Sequence, residues 1–202
     1  MLDFYKNKKI LITGSSGFVG SWLAFTLNEI GAKLYGISLE PNTSPSLFKI
    51  LNLENSINQK YIDICNIKNL DEAIKEISPE IVFHLAAQPL VRESYPRIVE
   101  TFSTNVMGTL NVLESCKNLG TEINVVCITT DKCYENDEHG ERFKESDPLG
   151  GKDPYSASKA STELMIKAYV ESYFSKKNSI KISIARAGNV IGGGDWSEDR
   201  II

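Results

Sequence analysis

Residues 10–20 read ILITGSSGFVG, a short apolar run that opens into three glycines spaced three residues apart. The apolar run predicts a strand, and the glycines predict a tight turn that leads into a helix. Gly14 would allow the sharp turn, Gly17 would let the backbone approach a pyrophosphate, and Gly20 would let the helix pack on its strand. N–H groups at the start of that helix would face the phosphates. A glycine-rich turn without a ligand is the alternative, because the spacing differs from G-x-G-x-x-G.

The composition argues against several classes of protein. The 202 residues are 42% hydrophobic and carry a formal charge of -4. This length suits one domain with at most the start of another. The mild acidity, without a Lys/Arg cluster, argues against nucleic acid or a membrane as partner. The four cysteines form no C-x-x-C pair, so we expect no metal site, no disulfide framework and a soluble, cytoplasmic protein without a leader or membrane span.

Predicted strands alternate with predicted helices along the whole chain. The strands are expected at 10–13, 33–38, 61–64, 81–87, 123–130 and 180–186, and the longer helices at 21–30, 69–77, 100–119 and 153–174. Residues 41–60 are polar and turn-rich, with one short helix near 47–51. This alternation predicts an α/β fold, a Rossmann-like doubly wound parallel sheet with right-handed crossovers.

Polar side chains stand near the carboxyl ends of the predicted strands. An acidic residue after the second strand would bind the adenosine ribose and favour NAD over NADP. Ser38 stands there instead, so the second strand leaves the two cofactors open. Asp63 could meet the adenine or cap the following helix. His84 lies inside a buried strand, which favours a satisfied core histidine over a catalytic one.

A tyrosine and a lysine stand four residues apart on the predicted helix 153–174. Tyr155 and Lys159 would therefore lie on one face of that helix. The ammonium would favour the phenolate by charge, so Tyr155 could act as a base near neutral pH. A solvated Tyr/Lys pair is the alternative, but Thr130 at a strand end and the glycine turn converge on the same site.

The longer motifs resemble one family within the extended short-chain dehydrogenase/reductase superfamily. TGxxGFVG at 13–20 and YxxxK at 155–159 are shared by the whole superfamily. More specific stretches are similar to those of the CDP-glucose 4,6-dehydratases: HLAAQPLVRESY (84–95), TNVMGT (104–109), TTDKCYEN (129–136), DPLGGKDPYSASKA (147–160) and ARAGNVIGGGDW (185–196). The resemblance implies an NAD-binding Rossmann domain over 1–190 and the start of a substrate-binding region over 191–202, with the smaller substrate domain largely absent.

The resemblance implies an internal redox lyase that acts on CDP-glucose or a related nucleotide sugar in deoxysugar and O-antigen polysaccharide biosynthesis. NAD would take hydride from C4 of the sugar while Tyr155 removes the hydroxyl proton, assisted by Thr130 and Lys159. Water would then leave across C5 and C6, and the hydride would return to C6. The expected product is CDP-4-keto-6-deoxyglucose.

The same resemblance assigns the elimination to the residues that follow Thr130. Asp131 would be the acid at the C6 hydroxyl. Lys132 stands where related dTDP-glucose dehydratases have a glutamate base. It would serve as the C5 base or stabilise the developing enolate, and Glu135 is a further candidate.

The resemblance also implies contacts with ligands and with a second copy of the chain. Together with Gly20 and Ser38, the residues expected to bind NAD are Gly14, Gly17, Phe18, Val19, Asp63, Ile64, Leu85, Ala86, Gln88, Asn105, Tyr155 and Lys159. Arg92, Asn189 and Arg200 would meet the substrate. A homodimer or higher homo-oligomer is expected, through helices spanning 100–118 and 156–174.

Two other functions remain as alternatives. A nucleotide-sugar 4-epimerase of the same superfamily shares the oxidation at C4 but needs no acid to expel a C6 hydroxyl, so Asp131 and Lys132 argue against it. A non-catalytic NAD-binding module is disfavoured by the complete set of Thr130, Tyr155 and Lys159.

Overall fold

The chain folds around a central parallel β-sheet. A computed structural model describes residues 2–137, 140, 142–174 and 180–198. The strands are β1 (Lys9–Thr13), β2 (Lys33–Ser38), β3 (Asn58–Tyr61), β4 (Ile81–His84), β5 (Ile123–Thr130) and β6 (Ile180–Ala187). Their order is β3-β2-β1-β4-β5-β6, with every neighbouring pair parallel. The predicted Rossmann-like doubly wound α/β fold is confirmed, and the strand order reverses between β1 and β4, where such sheets bind ligands.

Helices cover both faces of the sheet. They are α1 (Phe18–Glu29), α2 (Leu47–Ile50), α3 (Leu53–Ser56), α4 (Ile67–Ile77), α5 (Val91–Ser94), α6 (Ile98–Phe102), α7 (Thr109–Lys117) and α8 (Pro154–Tyr173). In β1, Ile10 and Ile12 belong to the apolar layer that packs with α1–α3, and Leu11 belongs to the layer that packs with α4, α7 and α8. This alternation buries the strand on both sides. Among the described helices, none has the length and apolar character needed to cross a membrane.

The third strand lies earlier than the sequence predicts. The expected strand 61–64 is wrong, because β3 covers Asn58–Tyr61 and pairs only with β2 at the sheet edge. Its residues are polar and half-buried or exposed, so they lack an apolar alternation. Asp63 therefore follows the strand, and its carboxylate accepts the N–H of Cys65 at 2.8 Å. Asn66, not Asp63, caps α4 by accepting the N–H of Asn69.

The segment predicted as one helix over 100–119 is interrupted. It divides into α6, a π-helical turn (Ser103–Gly108) and α7. Two shorter differences also occur: β4 ends at His84 rather than at residue 87, and residues 41–60 contain two short helices, α2 and α3, instead of one. The π turn places Asn105 in the interior, where it is 1% exposed.

His84 is a satisfied core histidine, as the sequence predicts. The Thr109 hydroxyl donates to the Asn105 carbonyl at 2.6 Å, so its oxygen accepts from His84 Nε2 at 2.8 Å. His84 Nδ1 then accepts from the Thr13 hydroxyl at 2.7 Å, and Thr13 Oγ1 accepts the Ala86 N–H at 3.3 Å. This order of donors assigns the neutral tautomer with its proton on Nε2.

We expect the stability of the chain to depend on the protonation of His84. Burial lowers the pKa of His84 from 6.5 to about 3, with a smaller contribution from the Lys159 charge. The unfolded chain binds a proton at His84 below pH 6.5 and the folded chain does not, so this stabilisation is complete above pH 6.5 and is lost as the pH falls towards 3. Denaturant unfolding of the native chain and of His84→Gln should show their difference shrinking by about 1 kcal/mol per pH unit below 6.5. A difference that is constant between pH 7 and pH 4 would contradict this.

Candidate active site

A deep cleft opens at the carboxyl ends of the strands, around the switch point between β1 and β4. Its volume is about 1170 Å³. Nine residues that the sequence analysis selected line it: Phe18, Val19, Leu85, Arg92, Thr130, Lys132, Tyr155, Lys159 and Asn189. The cleft therefore brings the start of α1, the end of β5 and the start of α8 together in one cavity.

The glycine turn leads into α1, whose Phe18 and Val19 line this cleft, whereas Gly14, Gly17 and Gly20 are not among the lining residues. Gly14 has a φ of 75°, and a Cβ there would lie 2.7 Å from the Ala86 nitrogen. A Cβ on Gly20 would overlap the carbonyl oxygen of Gly14, so helix and turn pack without any intervening side chain. Gly17 precedes α1, and no side chain caps that helix. The N–H groups of the first turn of α1 are thus available for an anion, beside Phe18 and Val19 in the cleft wall.

Tyr155 lies in the first turn of α8, where backbone N–H groups have no partner within the helix. The side chain of Asp153 caps the helix by accepting the N–H of Ser156 at 3.0 Å. The N–H of Tyr155 donates instead to the Ser94 hydroxyl at 3.2 Å. Ser94 ends α5, so this bond fixes the start of α8 against the helix that carries Arg92. Sequence reasoning missed Ser94, since a single serine in a short helix carries no pattern.

Lys159 lies one turn after Tyr155 and is 7% exposed. Its ammonium donates to the carbonyl of Ile128 in β5 at 3.2 Å, which places the charge at the floor of the cleft. Burial lowers the pKa of Lys159 to about 8, against the opposing influence of Cys127 and Glu163. The predicted Tyr155 and Lys159 pair thus faces a cleft rather than solvent.

The 3₁₀ turn Asp131–Cys133 follows β5 directly. Thr130 is buried, and its hydroxyl donates to Asp131 Oδ1 at 3.2 Å and accepts the N–H of Lys132 at 3.3 Å. Asp131 and Lys132 are both exposed, and of these two Lys132 lines the cleft. A Cβ on Gly188, a residue of the cleft wall, would lie 3.4 Å from Asp131 Oδ2. Glu135 lies outside the cleft, where its N–H pairs with the Pro148 carbonyl at 2.9 Å.

Two residues expected at the cofactor, Gln88 and Asn105, bond each other at the turn between β4 and α5. The side-chain oxygen of Asn105 accepts the N–H of Gln88 at 2.8 Å, and its amide donates to the Gln88 carbonyl at 3.2 Å and to Ser158 at 2.8 Å. The Gln88 side chain bonds Thr101 and both backbone groups of Leu90. Both side chains are thus occupied within the protein, and they hold the backbone beside the cleft in place.

Four other residues expected to bind NAD are not among those that line the cleft. Ser38 is buried, and its hydroxyl accepts from Gln59 at 2.9 Å and lies 3.4 Å from the Ser15 hydroxyl. Asp63 is exposed beyond β3, and Ile64 is buried against Gly108. Ala86 follows β4 beside Gly14.

Two of the residues expected to meet the substrate lie in the cleft wall. Arg92 of α5 and Asn189 after β6 both line the cleft and are exposed. Arg200 lies outside the described residues. The segment after Asn189 crosses the start of α1, where the Trp22 indole donates to the carbonyl of Gly193 at 3.0 Å. This segment forms one wall of the cleft.

Glu163 is a buried charged residue near the site that sequence reasoning missed. It lies one turn after Lys159, is 3% exposed, and forms an ion pair with Arg186 of β6 at 2.6 Å. Burial opposes its charge, but hydrogen bonds from Arg186, Thr129 and Cys133 lower its pKa overall. Its spacing could have pointed to it, because Tyr155, Lys159 and Glu163 follow one another at intervals of four residues on one helix face.

Comparisons with known proteins agree with this geometry. Residues 11–186 match the model of the GDP-mannose 4,6 dehydratase family. The chain is 47% identical to the CDP-glucose 4,6-dehydratase of Salmonella typhimurium, over 99% of this chain and 57% of that protein. It is 31% identical to the dTDP-D-glucose 4,6-dehydratase of Homo sapiens, over 95% of this chain and 53% of that protein.

A solved structure with bound NAD shares the fold. The UDP-glucose 4-epimerase of Thermus thermophilus aligns with a TM-score of 0.73 and 31% identity, over 88% of this chain and 54% of that one. The chain spans about half the length of the curated relatives that it matches. The family match covers the glycine turn and the Tyr155 and Lys159 pair. It includes β2 to β5 in full, β1 except its first two residues, and β6 except its last residue. The strand order and the cleft agree with this match, and the match over residues 11–186 shows that the chain belongs to the GDP-mannose 4,6 dehydratase family.

Proposed function

We propose that this chain provides the cofactor-binding and catalytic part of a CDP-glucose 4,6-dehydratase, a lyase of deoxysugar biosynthesis. The observation that carries the proposal is the cleft in which Tyr155 and Lys159 of α8 face Thr130 and Lys132 at the end of β5. The identity of 47% to the Salmonella typhimurium enzyme favours CDP-glucose over other nucleotide sugars as the substrate.

We propose NAD as the cofactor. The site fits a dinucleotide because the glycine turn leaves no side chain over the start of α1, and because that helix presents N–H groups without a side-chain cap. When bound, NAD supplies a hydride acceptor for C4 of the sugar and returns the hydride to C6. Residues expected to hold it include Phe18, Val19, Leu85 and Lys159, all in the cleft wall.

Tyr155 would take the proton of the C4 hydroxyl during the oxidation. The buried Lys159 ammonium, one helical turn away, would favour the phenolate by charge. The Thr130 hydroxyl, which donates to Asp131 Oδ1 in this structure, would turn to the C4 oxygen of the sugar. The proton goes to the phenolate oxygen and the C4 hydrogen leaves as hydride, so the sugar gains a ketone at C4.

The elimination would use the turn after β5. The C4 ketone makes the C5 proton acidic, and a base removes it while the C6 hydroxyl leaves as water with a proton from Asp131. Lys132 lies in the cleft wall, where it would take the C5 proton or stabilise the enolate. The base would then return a proton to C5, so that the sugar would lose one water with no net redox change.

The division of the chain into two regions is a proposal from the sequence motifs. We propose that residues 1–190 form the NAD-binding domain and that 191–202 begin the substrate-binding region. Arg92 and Asn189 stand on the rim where a sugar nucleotide would enter. Arg200 is proposed to approach the phosphates on the basis of sequence alone.

The test is a mass spectrum of CDP-glucose after incubation with NAD and a version of this chain extended beyond Ile202 by the C-terminal part of the Salmonella typhimurium relative. We expect the sugar to lose one water without net formation of NADH. An unchanged mass with inversion at C4 would show an epimerase instead. NAD binding without any reaction of the sugar would show a binding module.

Replacing Lys132 with Ala should separate its two proposed roles. If Lys132 is the C5 base, exchange of the C5 proton with deuterated solvent during turnover should fall with the rate of water loss. The fall should be about 100-fold or more, which is the usual contribution of a general base. Full C5 exchange in the variant would exclude Lys132 as the base. Lys152→Ala, an exposed lysine in the loop before α8, is the control.

We propose a homodimer or higher homo-oligomer in the cytoplasm. Helices α6 and α8 pack together and carry exposed apolar side chains, with Val99 78% and Leu164 57% exposed. A second copy would cover them. Light scattering should give a multiple of the 22.5 kDa chain mass, and a charged residue at Leu164 should lower the measured mass.

The cysteines of the described chain are all free thiols, which suits a reducing compartment.

A further inference from the structure

The carboxylate of Glu163 holds both ends of the turn that carries Asp131 and Lys132. Its Oε1 accepts the Thr129 hydroxyl at 2.6 Å and lies 3.4 Å from the sulfur of Cys133. Thr129 comes just before Thr130, and Cys133 comes just after Lys132. The three intervening residues are thus enclosed between two contacts to a single oxygen atom.

Arg186 fixes that carboxylate from the neighbouring strand. Its Nε lies 2.9 Å from Oε1, and its Nη2 lies 2.6 Å from Oε2 of Glu163. Such a two-point contact sets the orientation of the carboxylate plane as well as its position. The pair is largely buried, with the Glu163 side chain 3% and the Arg186 side chain 17% exposed. Its members therefore depend on each other, since an unpaired charge at this site would be costly.

The same arginine extends the contact to the loop that follows the turn. Its guanidinium lies 4.6 Å from the ring of Tyr134, which stacks on Phe143 with ring centres 4.6 Å apart. Its Nη1 donates to the carbonyl of Glu145 at 3.1 Å. The pair thus ties β5, β6 and the loop after β5 to helix α8.

Helix α8 also carries Tyr155 and Lys159. Glu163 lies one turn beyond Lys159, so the three side chains share one rigid element with a rise of about 1.5 Å per residue. The oxidation residues belong to this helix, and the elimination residues belong to the turn after β5. Glu163 is the side chain of α8 that bonds both flanks of that turn.

We propose that Glu163 is a positioning residue that holds the Thr130–Asp131–Lys132 turn in register with Tyr155 and Lys159. The proposal rests on the dehydratase function proposed above. Glu163 lies outside the cleft lining and acts through Thr129, Cys133 and Arg186. Its loss should therefore affect the elimination, which depends on the turn, more than the oxidation, which depends mainly on α8.

The experiment compares Glu163→Gln and Thr129→Val with the unsubstituted protein, in the version extended beyond Ile202. A misplaced acid and base can cost about 100-fold in rate, so we expect water loss to slow by that order in Glu163→Gln. Thr129→Val removes one hydrogen bond to a charged group and should slow water loss about tenfold. Reduced nicotinamide, measured by its absorbance, should accumulate during turnover in both variants, because oxidation of the sugar continues while the elimination is slow.

A second readout needs neither cofactor nor substrate. Hydrogen exchange of the backbone amides over 129–137 should be about tenfold faster in Thr129→Val, because one of the turn's fixing bonds is lost. Amides of β4 should exchange as before. Thr129→Val keeps the ion pair intact, so it tests the proposal even if Glu163→Gln folds poorly.

Glu171→Gln is the matched control, since Glu171 is an exposed glutamate on the same helix. It should change neither the exchange nor the reduced-nicotinamide signal. Equal slowing of oxidation and elimination in Thr129→Val, without accumulation of reduced nicotinamide, would overturn the proposal. If the unsubstituted protein released no water from CDP-glucose, the proposed function would fail. Unchanged hydrogen exchange over 129–137 in Thr129→Val would separately show that Glu163 does not hold the turn.

Discussion

Replacing Tyr155 with Phe should slow water loss from CDP-glucose by about 100- to 10,000-fold, the usual contribution of a positioned acid or base. The phenol oxygen is the group proposed to take the C4 hydroxyl proton, and Phe cannot accept it. Folding should be retained, because the bond that fixes this part of α8 is made by the backbone N–H of Tyr155 to Ser94. The rate is measured by mass spectrometry and the affinity for NAD by calorimetry.

The control for that variant is Tyr173→Phe. Tyr173 lies near the end of the same helix and is 60% exposed. This variant therefore lacks the same oxygen atom, but at a position away from the cleft. We expect its rate to match that of the unsubstituted protein. A Tyr155→Phe variant with a rate within threefold of the unsubstituted protein would remove Tyr155 from the chemistry, and the base would have to be sought elsewhere in the cleft.

Replacing Gly20 with Ala should weaken NAD binding by at least about tenfold and destabilise the fold by about 1–3 kcal/mol, the usual cost of overpacking. The new methyl group would overlap the Gly14 carbonyl, whose carbon would lie only 2.8 Å away. Neither backbone atom can rotate aside as a flexible side chain would. Helix α1 must therefore move off the glycine turn, and its N-terminal N–H groups move with it.

Calorimetric titration with NAD and denaturant unfolding measure the two effects. Gly193→Ala is the control for stability, because a Cβ there would meet nothing within 4 Å. It adds the same methyl group in open space. Unchanged NAD affinity in a folded Gly20→Ala variant would show that the start of α1 does not form the pyrophosphate site.

Much of the fold could be predicted because β1, β2, β4 and β5 are rich in apolar residues and largely buried. The bounds of β2 and β5 are those predicted, and β1, β4 and β6 each differ at one end. The polar edge strand β3 has no such pattern, and its position depends on pairing with β2 alone. Helix α5 has only four residues, too few for a periodic signal.

The candidate site likewise contains residues that the sequence predicts and residues that it does not. Local spacing predicts that Tyr155 and Lys159 share a helix face, and the strand end predicts the place of Thr130. The pairing of Glu163 with Arg186 joins residues 23 positions apart in the chain. Local spacing does not show which arginine meets a buried glutamate, since that depends on how β6 packs beside α8.

The π turn at Ser103–Gly108 accommodates one more residue than an α-helical turn would. If the same residues formed an α-helical turn with no change in their number, α7 would rotate by about 100° relative to α6. The buried face of α7, with Val112, Leu113 and Cys116, would then turn away from the core. The π turn therefore sets which face of α7 meets the core, and a substitution that drew this turn into an α-helix would turn that face outwards.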